Sequence, residues 1–252
     1  MNSKLGRWTL AVLAHLAVLA AWYLFVRLGE VPKFVMPSPG ATLDALLQPN
    51  YDWWTNIAVT GTEIFVGYSI ALVVGVTLAL LFSWSKTLEA FFMPLFVSLN
   101  MIPKVALGPL IIVWFKYGVF PNSIMAFSIA VFPILLTTAR GLRETEPELL
   151  DLVRSLKGSR WQLFRKIQLP GALPYIFSGM KVGAILAVAG AIVGEFLGPD
   201  RGLGYLMLQV QVTLDTPAML MAVLLITALG MLLYGLVLAL ERLLVVKDAR
   251  LH

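Results

Sequence analysis

The chain has 252 residues, of which 59% are hydrophobic and only 13% charged, and its mean hydropathy is +0.86. Soluble domains run nearer half apolar and a quarter charged, so this composition points to a bilayer, with no sign of a disordered tail or a second soluble domain. The lack of cysteine excludes disulfides, thiolate metal sites and thiol catalysis, and two histidines exclude an all-histidine metal site.

A bilayer core about 30 Å thick needs roughly 20 mostly apolar residues at 1.5 Å each. Six stretches qualify: residues 7–28, 57–82, 91–115, 123–139, 176–197 and 218–240. The first follows Lys4 and Arg7, as a signal peptide would, but its apolar run is long for one and favours an uncleaved helix. His15 is alone in that stretch and has no acidic neighbour, so it reads as a packing or interface residue. Between the first two spans, residues 33–55 include Pro37-Ser38-Pro39, where Ser38 and Pro39 can open a short amphipathic helix carrying Leu43, Leu46 and Leu47 along a membrane surface.

The net charge of +5 is informative through its distribution. With six spans and a cytoplasmic N-terminus, Lys4, Arg7, Lys86, Arg242, Lys247 and Arg250 fall in the cytoplasm. So does the cluster Arg140, Arg143, Arg154, Lys157, Arg160, Arg165, Lys166 and Lys181. Only Arg27, Lys33, Lys116 and Arg201 fall outside, and Lys104 lies within span three. The excess of basic residues on one side places both termini in the cytoplasm, together with the segment between spans four and five. Trp8, Trp22, Trp53, Trp54, Trp114 and Tyr117 gather at span ends, as an interfacial belt requires.

That segment, about residues 140–175, contains TEPELLDLVRSLKGSRWQLFRKIQLPGALP. Thr145 with Glu148 has the spacing of a capping box, and Leu149, Leu152, Val153 and Leu156 form one apolar helical face. Gly158 is placed to supply the left-handed residue that closes this helix. Ser159 with Gln162 repeats the capping pattern and opens a second helix to about Gln168, ended by Pro170, with Pro174 at the start of span five. The product is a helical hairpin. Lying on anionic lipid is one use for it, but Glu148 and Asp151 beside the apolar stripe suit a protein partner better.

The hairpin resembles the cytoplasmic loop of bacterial ABC importer permeases, whose form is E-A-A-x3-G-x9-I-x-L-P. Asp151-Leu152-Val153 stands at E-A-A, Lys157 at the Gly, and Ile167-Gln168-Leu169-Pro170 at I-x-L-P, with Gly158 one position late. MPSPGATLDALL, IPKVALGPLIIVWFKYG and GEFLGPDRGLGYLML are similar to segments of the permeases serving nitrate, sulfonate, taurine, bicarbonate, and pyrimidine- or riboflavin-type importers. The resemblance implies an all-α integral membrane fold, a single domain over residues 1–252 with six transmembrane helices of the type I importer kind and a coupling-helix hairpin. It implies assembly as a dimer, two cytoplasmic ATPase subunits gripping the hairpins, and a periplasmic or lipid-anchored solute-binding protein, in a bacterial inner membrane. Small organic anions and neutral vitamin-like heterocycles fit such a subunit equally.

The chain has no G-x4-G-K-[ST] loop, so ATP and magnesium are expected on a partner and no cofactor on this chain. Gly179, Gly183, Gly190, Gly194 and Gly198 give span five a small-residue face, for packing within the subunit, lining the pathway, or a dimer seam. The resemblance favours the seam; Gly179, Gly183 and Gly198 are the candidates for it, and Gly190 and Gly194 are candidates for the pathway. Glu63, Lys104 and Glu195 are the ionisable residues nearest a bilayer interior, where a charge costs about 2.5–3.5 kcal/mol. Lys104, beside Pro103 and Gly108-Pro109, is placed to bond freed carbonyls or meet solute; Glu195 is a gating or packing candidate; Glu63 is expected to snorkel or hydrogen-bond. An ion-coupled carrier or channel is the competing function, and it would ask for more intramembrane charge and an inverted repeat. No catalytic constellation or nucleic-acid surface is visible.

Overall fold

The computed structural model describes residues 4–144, 147–198 and 201–245. Thr145, Pro199, Asp200, Lys247, Arg250 and His252 lie outside the described residues, as do the side chains of Lys4, Arg7, Trp8 and Arg154. The described residues form helices and turns, without strands.

The first helix, α1 (Lys4–Leu28), faces outward along most of its length, as a lipid-exposed helix does. The indole of Trp22 donates to the Pro37 carbonyl at 3.0 Å and ties it to the short α2 (Pro39–Asp44). Ser38 caps α2 by accepting from the Ala41 amide. Leu43, Leu46 and Leu47 are exposed and Ala45 is buried, the arrangement expected of a segment lying at an interface.

Three long helices make the core: α3 (Trp53–Trp84), α6 (Val119–Arg143) and α9 (Leu169–Leu197), with α6 packed between the other two. Their contact is close because the facing residues are small. A Cβ on Gly67 would lie 2.5 Å from the Ser123 carbonyl, and one on Gly190 would lie 2.6 Å from the Ala126 Cα. Such spacing gains dispersion energy in lipid, where the hydrophobic drive between helices is lost.

The expected third span is not straight. It is split into α4 (Lys86–Met101) and α5 (Lys104–Phe115), meeting at 94°. Pro103 has no amide hydrogen and pushes Ile102 into extended backbone at ψ 125°, so the helix ends there. Among the described residues, five continuous helices are long and apolar enough to cross a membrane, and the bent pair makes a sixth if it counts as one span.

The hairpin comprises α7 (Pro147–Ser155) and α8 (Arg160–Leu163). The expected stop at Pro170 is absent. A wider π turn at Phe164–Gln168 carries α8 directly into α9, with the Leu169 amide bonding the Phe164 carbonyl. Widening the ladder just before Pro170 accommodates its missing donor without breaking the helix. The fold closes with α10 (Leu203–Val212) and α11 (Thr216–Leu244), which pack on each other and on α9.

Candidate functional site

At the hairpin end, α7 stops on a left-handed residue, and that residue is Lys157 (φ 53°), not Gly158. The Gly158 amide donates to the Val153 carbonyl at 2.9 Å, the long bond of a Schellman turn. Gly158 is needed for proximity instead, since a Cβ there would lie 2.6 Å from Val153 Cγ1. The left-handed position therefore coincides with the Gly of the family motif. The second capping box is present: Ser159 N donates to Gln162 Oε1 at 2.8 Å and Gln162 N to Ser159 Oγ at 3.2 Å.

Leu149 and Leu152 on α7 and Leu156 in the turn that follows it are exposed, which leaves an apolar stripe facing away from the subunit beside Glu148 and Asp151. Ile167 and Leu169 are half-buried in the continuous helix of the second arm. Trp84, Trp161 and Phe164 form a three-ring cluster with centroids 5.6–6.5 Å apart, which packs α8 against the end of α3. At the root of the hairpin, Arg143 pairs with Glu89 of α4. The Tyr175 hydroxyl and the Arg140 guanidinium hold the Glu144 carboxyl below the usual carboxylate range.

Lys104 donates from Nζ to the Leu99 carbonyl at 2.8 Å across the bend, so it satisfies a freed backbone group. The glycine face of α9 is occupied by α6 of the same subunit. A Cβ on Gly179 would lie 2.0 Å from Thr137 Oγ1, one on Gly183 2.8 Å from Ile134 Cδ1, and one on Gly194 2.8 Å from Asn122 Oδ1. Gly179, Gly183, Gly190 and Gly194 thus all pack against α6 within the subunit. Gly198 lies near Tyr117 and Ile112.

At the far end, Glu63 and Glu195 are 1% and 0% exposed, so Glu63 does not snorkel. Thr60 Oγ1 donates to Glu195 Oε1 at 2.5 Å, while the Gly204 and Tyr205 amides donate to Oε2. Asn122 Nδ2 donates to Glu63 Oε1 at 2.9 Å, and the Leu203 amide donates to Thr60 Oγ1 at 2.8 Å. Nothing in the sequence pairs residues this distant; the only signal was polarity inside apolar runs. Beyond this cluster lies a polar cavity of about 610 Å³, lined by Asn56, Arg201, Tyr205, Gln209 and Asp215 among others. Tyr51 bonds Asp215 at its edge. Elsewhere, Lys181 is not a solvated cation: it pairs with Glu241 of α11 at 3.0 Å, with both side chains largely buried.

The family model described as binding-protein-dependent transport system inner membrane component matches residues 71–246. A probable ABC transporter permease protein of Haemophilus influenzae is 34% identical, covering 86% of this chain and 89% of that protein. The riboflavin transport system permease protein of Chloroflexus aurantiacus is 33% identical, covering 90% and 86%. The formylaminopyrimidine transport permease protein of Halalkalibacterium halodurans is 29% identical, covering 92% and 93%. The fold matches a chain of the methionine ABC transporter MetNI, in an inward-facing conformation, with TM-score 0.59 and 19% identity over 76% of this chain and 98% of that one. This chain belongs to the family of binding-protein-dependent transport system inner membrane components and is a permease component of an ABC importer.

Proposed function

We propose that this chain forms half of a solute pathway, as a dimer, and is driven by a separate ATPase that grips the hairpin at residues 145–170. The observation that carries the proposal is the outward apolar stripe of α7 and the turn that follows it, Leu149, Leu152 and Leu156, on a hairpin whose second arm runs without a break into α9. A stripe of this kind with acidic neighbours suits a protein groove. Glu148, Asp151, Val153, Lys157 and Gly158 belong to the same docking element, and Ile167, Leu169 and Pro170 to its rigid arm. The whole chain, residues 1–252, is read as one membrane domain. Two ATPase subunits hold ATP and magnesium, so this subunit is a transporter part and not an enzyme. A periplasmic or lipid-anchored binding protein delivers solute to the far end.

The excess of basic residues at the hairpin end supports a bacterial inner membrane with both termini in the cytoplasm. The relatives' names support a small heterocycle or organic anion as solute, to be identified by a ligand screen on the cognate binding protein. The test of coupling is co-expression with the cognate ATPase and reconstitution with the binding protein. Combining Asp151→Lys with Leu152→Trp is expected to abolish solute-stimulated ATP hydrolysis while the membrane subunit still folds. Unchanged assembly and transport in that variant sinks the docking assignment. Uptake driven by an ion gradient, with no ATPase present, overturns the importer reading in favour of a secondary carrier.

A further inference from the structure

The carboxyl pair at the far end is not explained by solute coupling or by the hairpin. Glu63 of α3 and Glu195 of α9 are both buried and within hydrogen-bonding reach of each other. Besides the two carboxyls, the groups facing the pair are Thr60 from α3, Asn122 from α6, and the amides of Gly204 and Tyr205 from α10. No lysine or arginine among the described residues bonds either one. Lys181 is committed to Glu241, Lys104 to the Leu99 carbonyl, and Arg201 lines the open cavity.

The donors are unequally shared. Glu195 accepts from a hydroxyl and two backbone amides, the environment that suits a carboxylate. Glu63 receives one donor, Asn122, on Oε1, and its Oε2 has none. An ionised carboxyl only accepts, so two carboxylates in contact repel each other and leave Oε2 without a donor. One proton on Glu63 Oε2 removes both problems, because it donates to the Glu195 carboxylate.

We propose that Glu63 and Glu195 share one proton, and that this proton-bridged pair clasps α10 to the far end of the α3–α6–α9 core. The clasp is closed over by glycine: a Cβ on Gly202 would lie 2.4 Å from the Glu195 carboxyl carbon, and one on Gly204 2.8 Å from its Oε2. Tyr205, Leu206, Gln209 and Val210 of the clasped helix form one wall of the polar cavity. Loss of the proton puts two like charges in contact beneath that wall, so proton occupancy and the seating of α10 are linked. This is a proton-binding site in each subunit, independent of whether the hairpin docks an ATPase.

The test uses the full chain in lipid nanodiscs. Infrared spectra of the wild type are expected to contain the carbonyl stretch of a protonated carboxylic acid, shifted downward in heavy water. Glu63→Gln, whose amide can still donate to Glu195, is expected to lose that band and keep slow hydrogen exchange across α10. Glu195→Gln turns a donor towards the Gly204 amide and is expected to speed exchange of α10 at least tenfold. A wild type without the band, or Glu63→Gln with the band intact, overturns the proposal; the wild-type spectrum alone suffices if a variant does not fold. Because neither readout involves an ATPase or solute, failure here leaves the coupling reading untouched.

Discussion

Lys157 occupies the left-handed residue of the α7 turn at φ 53°, and its replacement by glycine isolates a single energetic effect. A side chain with a Cβ pays about 1–2 kcal/mol for that conformation. Glycine removes this strain but brings a more flexible unfolded chain, which costs roughly 0.5–1 kcal/mol. The net gain for Lys157→Gly is about 0.5–1 kcal/mol, a twofold to fivefold fall in the open population of the turn. Hydrogen exchange of the Gly158 amide, which bonds the Val153 carbonyl at 2.9 Å, reads that population directly. Exchange is expected to slow by that factor in Lys157→Gly and to accelerate in Gly158→Ala, where the new methyl meets Val153 at 2.6 Å. Equal or faster exchange in Lys157→Gly would refute the assignment of strain to residue 157.

Three further outcomes follow from the packing. Lys181→Met strands the Glu241 carboxylate, now paired at 3.0 Å, and is expected to cost about 3–5 kcal/mol, seen as a lower Tm in detergent; adding Glu241→Gln should recover most of it. Gly190→Leu drives a side chain into the Ala126 and Met125 backbone of α6 and is expected to cost at least 1–3 kcal/mol, roughly, by the same assay. Asp215→Ala removes both the Tyr51 contact and the cap on the Ala218 amide, and should destabilise the start of α11 by about 1 kcal/mol, measured by hydrogen exchange there.

The spans and the hairpin were legible because they are written in local periodicity and composition. Residues 57–82 and 218–240 lie within α3 and α11, and Ser159 with Gln162 makes the capping box that its spacing predicts. Prolines were harder, because their effect depends on what surrounds them. Pro103 breaks its span by 94°, whereas Pro170 is absorbed by a π turn and ends nothing. The glycines of α9 are visible in the sequence as a small-residue face, but sequence carries no label for which helix packs on it; within the subunit α6 does. The far-end cluster was the least legible. Thr60, Glu63, Asn122, Glu195 and Gly204 come from four elements, and each residue alone looks like an isolated polar interruption in an apolar run.

The two sites sit at opposite ends of one mechanical element. From Arg160 to Leu197 the chain is helical for 38 residues, roughly 55 Å at 1.5 Å each, with the hairpin turn at one end and Glu195 near the other. A break at Pro170 would have let the hairpin swing freely, and the π turn at Phe164–Gln168 keeps the backbone ladder closed instead. The glycines of α9 seat Thr137, Ile134 and Asn122 of α6 close against its backbone, so the two helices are tightly packed along this length. If the proposed coupling holds, a displacement of the hairpin would reach the Glu195 carboxyl, where the amides of α10 are attached. The prediction is directional. Inserting a helix-breaking Gly-Gly pair at Arg165 and Lys166, on the exposed side of the π turn, should leave α10 exchange unchanged at rest but abolish any change in it when the partner ATPase binds ATP. Retained ATP-dependent exchange at α10 in that variant would place the link between the two ends outside α9.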